Sequence, residues 1–300
     1  MRIRTRKLAL AEGVTAGVLF GTAAILIRLL PDLDAFSIGF WRLIIACLAL
    51  SAILLVLRRS FSFDLMRKNV KDLAFLSVFL GLHFLFFISA VKDTTILNAT
   101  VLVNTSPLFS VVVSTFLFKL KPSRMAIWGL ALSFIGVCVI AFAEATTANT
   151  QATGVSPSLK GDVEAVLAAV VEAFYLNFGR KTRSQMHILT IMLPVYAFSA
   201  LVVGALSIPA KATILTIPVQ IEALLPLLGL GLLSTAIAHT LYFSSLSNLK
   251  SFETATMALL EPIGATILGI AIFQEVPVLL FGLGAFMILI GVLFISLNKS

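Results

Sequence analysis

Two glutamates lie inside long apolar segments of this sequence. Glu172 occurs in AVLAAVVEAFYLNFG, and Glu261 precedes Pro262 in TMALLEPIGATILGIAIF. A carboxylate in apolar surroundings is unfavourable unless it pairs with a polar partner, binds a ligand or carries a proton. Glu172 therefore indicates either proton or substrate coupling or a structural pair, and the same alternatives apply to Glu261.

Two histidines and one arginine are the other chemically active groups in apolar segments. His83 occurs in GLHFLFFISA, His239 in IAHTLYFSSL and Arg42 in FWRLIIA. At helical spacing, each histidine shares a face with aromatic or hydroxyl side chains, and such a face either packs between helices or lines a cavity. We interpret Arg42 as a structural anchor to a carbonyl or an acid. The candidate cavity residues are Phe79, His83, Phe86, Asn104, Glu172, Tyr175, Thr235, His239 and Tyr242.

Several classes of function lack their sequence signals. The chain contains neither G-x-x-x-x-G-K-[ST] nor H-E-x-x-H, the signatures of a phosphate-binding loop and a zinc protease. The three histidines have no cysteine nearby to complete a zinc set, so we expect no metal, no cofactor and no enzyme activity. The net charge of +8 fits attraction to anionic lipid, and we expect no nucleic-acid partner.

These residues must be positioned by membrane helices. The chain is 59% hydrophobic and 12% charged, whereas soluble domains carry roughly 25% charged residues. A membrane-spanning helix needs about 20 mostly apolar residues. The sequence predicts an all-α polytopic membrane protein with ten such segments, at about 8–30, 35–57, 72–91, 96–118, 124–143, 161–179, 188–208, 222–247, 252–273 and 278–297.

Basic residues are distributed unevenly between the two sides of these ten segments. With the N-terminus inside, seventeen lysines and arginines fall on the inner side and three on the outer side. Because basic residues mark the cytoplasmic side of membrane proteins, this distribution predicts that both termini are cytoplasmic. We expect a multi-pass protein of the inner (plasma) membrane, with the lipid bilayer as its surroundings.

The two halves of the chain resemble each other. A constant shift of 155 residues aligns Pro107 with Pro262 and Gly129 with Gly284, and it also pairs Gly136 with Gly291. Each repeat holds five helices, and an odd number inverts the second repeat in the membrane. The sequence predicts a first repeat at 1–145, an outer linker at 146–160 and a second repeat at 161–300, with the helix bends at Pro107 and Pro262.

Helix 1 carries glycines at a spacing of four residues. Gly13, Gly17 and Gly21 allow a second helix to approach closely, as small residues do in membrane proteins. Opening room for a ligand is the alternative interpretation of these positions. Either interpretation places helix 1 beside another helix at short range.

The sequence resembles the drug/metabolite transporter superfamily, in its EamA-type ten-helix group. The resemblance is carried by LLEPIGATILGIAIFQEVPVLLFGLGAFMILIGV, with Glu261, Pro262, Glu275 and Gly291, and by Arg42 in helix 2. The first repeat departs from this pattern, with Leu120 at the position of Glu275. The resemblance implies a central cavity lined by helices 1, 3, 4, 6, 8 and 9, and export or exchange of small metabolites. Within the family, the chain looks most like the YddG-like aromatic amino-acid exporters.

We therefore expect a secondary transporter that exports or exchanges amino acids, aromatic or other neutral ones, by alternating access. Protons are a candidate coupling ion, and the chain is expected to be a monomer or a homodimer. Another metabolite or drug, such as a nucleoside, vitamin or organic cation, is the alternative substrate. A membrane-embedded lipid enzyme and a non-transporting scaffold are alternatives of a different class. The enzyme would need clustered histidines and acids at one membrane face, and the sequence spreads them instead.

Overall fold

The computed structural model describes residues 5–58, 61–147, 156–212, 221–273 and 279–297. All regular structure in these residues is helical. The first repeat contains the helices α1 (Arg6–Arg28), α2 (Ala35–Val56), α3 (Phe63–Lys68), α4 (Val70–Asp93), α5 (Ile96–Val103), α6 (Ser106–Phe116) and α7 (Arg124–Thr147).

The second repeat contains fewer uninterrupted helices. It begins with α8 (Leu159–Gln185) and α9 (Ile188–Ser207). It continues with α10 (Ile221–Gly229), a π-helix (Leu230–His239), α11 (Thr240–Ser245), α12 (Ser251–Met257), a 3-10 turn (Ala258–Leu260), α13 (Glu261–Phe273) and α14 (Leu279–Leu297).

Eight segments of the described chain are long and apolar enough to cross a membrane. Two of these eight join shorter helices, α5 with α6 and α10 with the π-helix and α11. The helix α8 and the interrupted segment from α12 to α13 complete the ten spans. The protein is therefore an all-α polytopic membrane protein built from two five-helix repeats.

Polar side chains start several of these helices at the turns. Asp34 accepts a hydrogen bond from the backbone N–H of Ser37 at 2.8 Å and caps α2. Thr95 caps α5 in the same way, through the N–H of Asn98 at 3.1 Å. Such caps satisfy N–H groups that the first helical turn leaves without a partner, so the helices begin at defined residues.

The fourth helix of each repeat is interrupted at an equivalent point. The helix α6 begins at Ser106 and α13 begins at Glu261, and these two residues are related by the shift of 155. Pro107 and Pro262 follow as the second helical residues, where a missing backbone N–H breaks no hydrogen bond. Both interruptions thus occur where the prolines predict them.

The last helices of the two repeats cross in an antiparallel arrangement. A Cβ added to Gly129 of α7 would lie 2.6 Å from the carbonyl oxygen of Gly291 in α14, and one added to Gly136 would lie 2.6 Å from that of Gly284. The shift of 155 pairs Gly129 with Gly284 and Gly136 with Gly291. Gly129 therefore contacts the counterpart of Gly136, and Gly136 contacts the counterpart of Gly129. Crossed contacts of this kind are what a two-fold axis produces, and they show that the repeats are inverted.

Other helix pairs follow the same two-fold relation. The helix α2 packs against α9, its counterpart in the second repeat. The helix α4 packs against α8, and α1 correspondingly packs against the π-helix and α11. The apolar core lies along these contacts, where the first helix of each repeat is held by the third helix of the other.

The glycines of α1 lie against the interrupted helix. A Cβ on Gly17 would overlap the carbonyl oxygen of Met257, and one on Gly21 would overlap the backbone nitrogen of Ala265. At Gly13 the nearest atom is the Met257 Cγ, at 2.9 Å. Backbone therefore touches backbone where α1 passes the break between α12 and α13.

The predicted helix boundaries differ from the structure in two respects. The segment predicted at 161–179 is the longer helix Leu159–Gln185, because its charged ends continue the helix past the apolar stretch. The segment predicted at 222–247 is not one α-helix but α10, the π-helix and α11 in succession, whereas the breaks within 96–118 and 252–273 occur at the predicted prolines. Glu275 and most of the predicted linker lie outside the described residues.

Candidate functional site

A narrow cavity lies between the two repeats, where both interrupted helices meet. Its volume is about 40 Å³, and a single water needs about 10–15 Å³ by the same measure. The cavity therefore has room for about three water molecules and must widen to admit an organic solute. Its polar lining residues are Arg42, His83, Asn104, Glu172, His239 and Glu261.

Aromatic rings form the apolar wall of this cavity. Phe20 comes from α1, and Phe84 and Phe87 come from α4. Small side chains complete the wall, contributed by Ala23 and Ala258. An apolar wall with a few convergent polar groups is typical of small-molecule sites.

Glu261 joins the two helix breaks. Its Oε2 accepts a hydrogen bond from Nδ2 of Asn104 at 3.3 Å, and both side chains are buried. Asn104 lies in the break after α5, and its Nδ2 also donates to the carbonyl of Thr100 at 2.7 Å. As the first residue of α13, Glu261 also lies at the positive end of that helix. The acid and the amide thus link equivalent points of the two repeats.

Glu172 reaches the same cavity from α8. Its Oε1 accepts a hydrogen bond of 2.8 Å from the hydroxyl of Tyr242, and the glutamate is only 6% exposed. The phenol is neutral and supplies one hydrogen bond to the acid. Glu172 therefore places a hydrogen-bonded carboxyl group on the side of the cavity formed by the second repeat.

Arg42 faces these acids from α2 without forming an ion pair with either, within the part of the chain that the structure describes. Its Nε donates to Oγ1 of Thr235 at 2.9 Å, and its Cζ lies 4.0 Å from the ring centroid of Phe84. The partner of Glu261 is Asn104 instead. The family resemblance implies a cavity lined by helices 1, 3, 4, 6, 8 and 9. The structure adds helix 2 to this lining through Arg42.

The π-helix positions Thr235 for this contact. Oγ1 of Thr235 donates to the carbonyl of Leu230, five residues earlier, at 2.8 Å. The hydroxyl of Tyr196 donates to the carbonyl of Thr235 at 2.8 Å. The wider turn of a π-helix leaves carbonyls to be satisfied by side chains, and π-helical turns often occur at functional sites.

The two histidines lie side by side at the centre. Their ring centroids are 5.9 Å apart. Nδ1 of His83 is 3.1 Å from the carbonyl oxygen of Ala168, so that nitrogen carries the hydrogen if the contact is a hydrogen bond. The ring of His239 lies between Phe20 and Phe84, with both centroid distances 4.7 Å.

Some predicted cavity residues lie elsewhere. Phe79 packs against Phe75 and Phe174, and Phe86 packs against the apolar core. Tyr175 contacts Met192 and Phe243. Thr235 and Tyr242 do not line the cavity but bind residues that do. Thr235 accepts a hydrogen bond from Arg42, and Tyr242 donates one to Glu172.

Three aromatic lining residues, Phe20, Phe84 and Phe87, were not among the cavity residues predicted from the sequence. Phe84 directly follows His83, and Phe87 lies four residues after His83 on the same helical face, with the two ring centroids 6.3 Å apart. The small residues of α1, which let this helix come close to the second repeat, are the signal that could have indicated Phe20.

Different polar contacts hold each end of the bundle together. At one end, which we call the Arg6 end, Arg6 forms two hydrogen bonds of 2.8 and 3.2 Å with the fully buried Glu253. At the opposite end, the Asp162 end, Asp162 accepts hydrogen bonds from Asn98 at 3.1 Å and Thr94 at 2.9 Å. The shift of 155 relates Asn98 to Glu253, so these contacts occupy equivalent positions.

Comparisons with known proteins agree with this architecture. The sequence profile of the EamA-like transporter family matches residues 8–142 and 159–297. A protein of Archaeoglobus fulgidus described as an uncharacterized transporter is 26% identical over 278 residues, covering 88% of each chain. One solved crystal structure superposes with a TM-score of 0.78 at 19% identity, over 97% of this chain and 96% of the other.

Proposed function

The chain belongs to the EamA-like transporter family, and on this premise we propose that it moves small organic metabolites by alternating access around the central cavity. One observation carries the proposal. The cavity lies between inverted repeats, at the facing interruptions of their fourth helices, and is closed by separate contacts at both ends. Inverted repeats with broken helices are the architecture that secondary transporters use for two alternating states.

Amino acids are the substrate class that we propose. The cavity offers one basic side chain, Arg42, and two acids, Glu172 and Glu261, beside aromatic rings. A neutral amino acid brings a carboxylate, an ammonium group and, in aromatic members, a ring that stacks favourably on phenylalanine. The charges and the apolar wall are thus complementary to such a solute.

The contacts at the two ends support the alternating step. An opening at the Arg6 end would break the pair between Arg6 and Glu253 while the contacts of Asp162 persist, and an opening at the other end would do the reverse. The cavity of about 40 Å³ corresponds to a contracted state between these openings. Binding of substrate would favour widening, since a ligand shifts the equilibrium toward the state that it binds.

We propose that the protein lies in the plasma membrane with the Arg6 end on the cytoplasmic side. The distribution of seventeen basic residues against three supports this orientation. We further propose export or exchange of cytoplasmic metabolites, the direction that the family resemblance implies.

Counterflow in liposomes tests the proposed function. Purified protein is reconstituted into vesicles loaded with one unlabelled compound, and uptake of the same labelled compound is measured for a panel of amino acids, nucleosides and sugars. Accumulation is expected for neutral or aromatic amino acids and not in protein-free vesicles. Counterflow of nucleosides or sugars alone would replace the proposed substrate class, and no counterflow of any compound would contradict transport.

A further inference from the structure

We propose that Arg42 binds the carboxylate of the transported solute and so makes the site selective for carboxylic acids over the matching amides and amines. The inference rests on the proposed transport function, which it deepens by assigning one end of the substrate to one side chain. It departs from the structural interpretation of Arg42 suggested by the sequence.

Arg42 has hydrogen-bonding capacity that the protein does not use. A guanidinium carries five N–H donors and no acceptor. Arg42 is 1% exposed, its Nε donates to Thr235, and its Nη1 has no partner among the residues that the structure describes. Buried cations are normally paired with an anion. The N–H groups of Nη1 can therefore donate to an acceptor from a bound solute, since none of the described residues supplies one.

The two acids of the cavity have hydrogen-bond partners other than Arg42. Glu172 and Glu261 accept hydrogen bonds from Tyr242 and Asn104, not from Arg42. The cavity therefore takes its arginine from α2 and its two acids from other helices, α8 and α13, each acid with a partner of its own. An anionic group of a solute can therefore accept hydrogen bonds from the guanidinium of Arg42. Neither acid has to leave its own partner for this.

Neighbouring side chains fix the orientation of the Arg42 guanidinium. Thr235 fixes Nε, and the ring of Phe84 lies 4.0 Å from Cζ, so the guanidinium is held from two directions. Tyr196 in turn holds Thr235 through its carbonyl. A guanidinium held this way presents its planar fork in a constant direction, and a carboxylate matches that fork with two parallel hydrogen bonds. Neither a primary amide nor an amine can make that charged pair.

Paired ligands test this inference on the full-length protein. Each pair consists of a carboxylic acid and its primary amide, drawn from aromatic amino acids, hydroxy acids and dicarboxylic acids, and phenethylamine is added as the amine that matches phenylalanine. Binding is measured as ligand-induced thermal stabilisation and transport as competition in counterflow. We expect at least one acid to bind at least tenfold more tightly than its amide.

The variants are Arg42→Lys and Arg42→Gln, with Arg67→Lys and Arg67→Gln on the exposed face of α3 as matched controls. Lysine keeps the charge but loses the planar fork, so a tenfold loss of acid affinity is expected, with little change for the amide. Glutamine should remove the preference for the acid. The Arg67 variants should keep it. If Arg42→Gln does not fold, Arg42→Lys and the unmodified protein still give the comparison of acid with amide.

The outcomes separate this inference from the proposed function. The amino acids and their amides could fail to bind or compete while another acid is preferred over its amide in an Arg42-dependent way. That result would contradict the proposed substrate class and support the role of Arg42. Equal binding of acids and amides by the unmodified protein would overturn that role. An undiminished acid preference in a folded Arg42 variant would overturn it too, as would a panel in which no acid binds.

Discussion

Nδ2 of Asn104 lies 3.3 Å from Oε2 of Glu261, and this hydrogen bond connects the two interrupted helices across the repeat boundary. Asn104 lies in the break of the first repeat, three residues before Pro107, and Glu261 begins α13 directly before Pro262. The contact thus stabilises two bends at once, and it does so in the lining of the cavity.

Replacing Glu261 by alanine should lower stability and slow transport of every substrate alike. The change leaves Asn104 with one hydrogen bond fewer in a buried position, at a cost of about 1–3 kcal/mol. Melting temperature and uptake of two chemically different substrates are measured on the same purified variant. Glu261→Gln, which keeps an acceptor, should lose less. A fully stable alanine variant that loses only one substrate class would contradict the structural role.

If Glu172 carries the coupling proton, replacing it by glutamine should stop proton-driven accumulation while sparing exchange of substrate for substrate, because exchange needs no net movement of protons. The hydroxyl of Tyr242 can still donate to the amide oxygen, so the fold is expected to persist. Tyr242→Phe, which keeps the acid, is the matched control and should retain accumulation. Equal loss of both activities in a folded Glu172→Gln protein would indicate a role in substrate binding instead.

Replacing Gly17 by alanine should destabilise the protein strongly, because the new Cβ overlaps the carbonyl oxygen of Met257. Overpacking of this kind costs about 1–3 kcal/mol. Gly282→Ala is the control, since a Cβ there has no neighbour within 4 Å in the described structure. Melting temperatures of the two variants should differ by several degrees. Equal melting temperatures would disprove close contact between α1 and the broken helix.

Replacing Arg6 by glutamine should open the Arg6 end. Glu253 is fully buried and loses its cationic partner, so the closed state is penalised more than the open one. The measurement is the labelling rate of a cysteine introduced at Ala255, which is buried near this pair, in a protein lacking Cys47 and Cys138. Exchanging the charges in Arg6→Glu with Glu253→Arg should restore slow labelling. An unchanged rate in Arg6→Gln would remove this pair from the closing contacts.

The proposed orientation predicts the labelling pattern of two loop positions. A cysteine in place of Gln151 should react with a membrane-impermeant reagent in intact cells. A cysteine in place of Ser123, in the loop before α7, should react only after the membrane is broken. The expectation follows from the excess of basic residues on the side of Ser123. The reverse pattern would invert the topology.

The sequence by itself determined the membrane class, the repeat and the depth of the polar groups. Ten mostly apolar segments of about 20 residues in one chain are each long enough to cross a membrane, where a helix satisfies its own backbone hydrogen bonds, and the shift of 155 residues placed Pro107 and Pro262 at equivalent points. A proline at the second helical position marks a helix start from local chemistry alone, so both breaks could be predicted.

Only the tertiary structure decided which polar groups meet. Arg42 contacts Thr235 across 193 positions of sequence, and Glu261 contacts Asn104 across 157. Helical periodicity gives the face of one helix but not the rotation of its neighbour, which packing of the whole bundle sets. Periodicity of the sequence did not predict the π-helix that presents Thr235, and in the structure Arg42 and Tyr196 contact its side chain and its carbonyl.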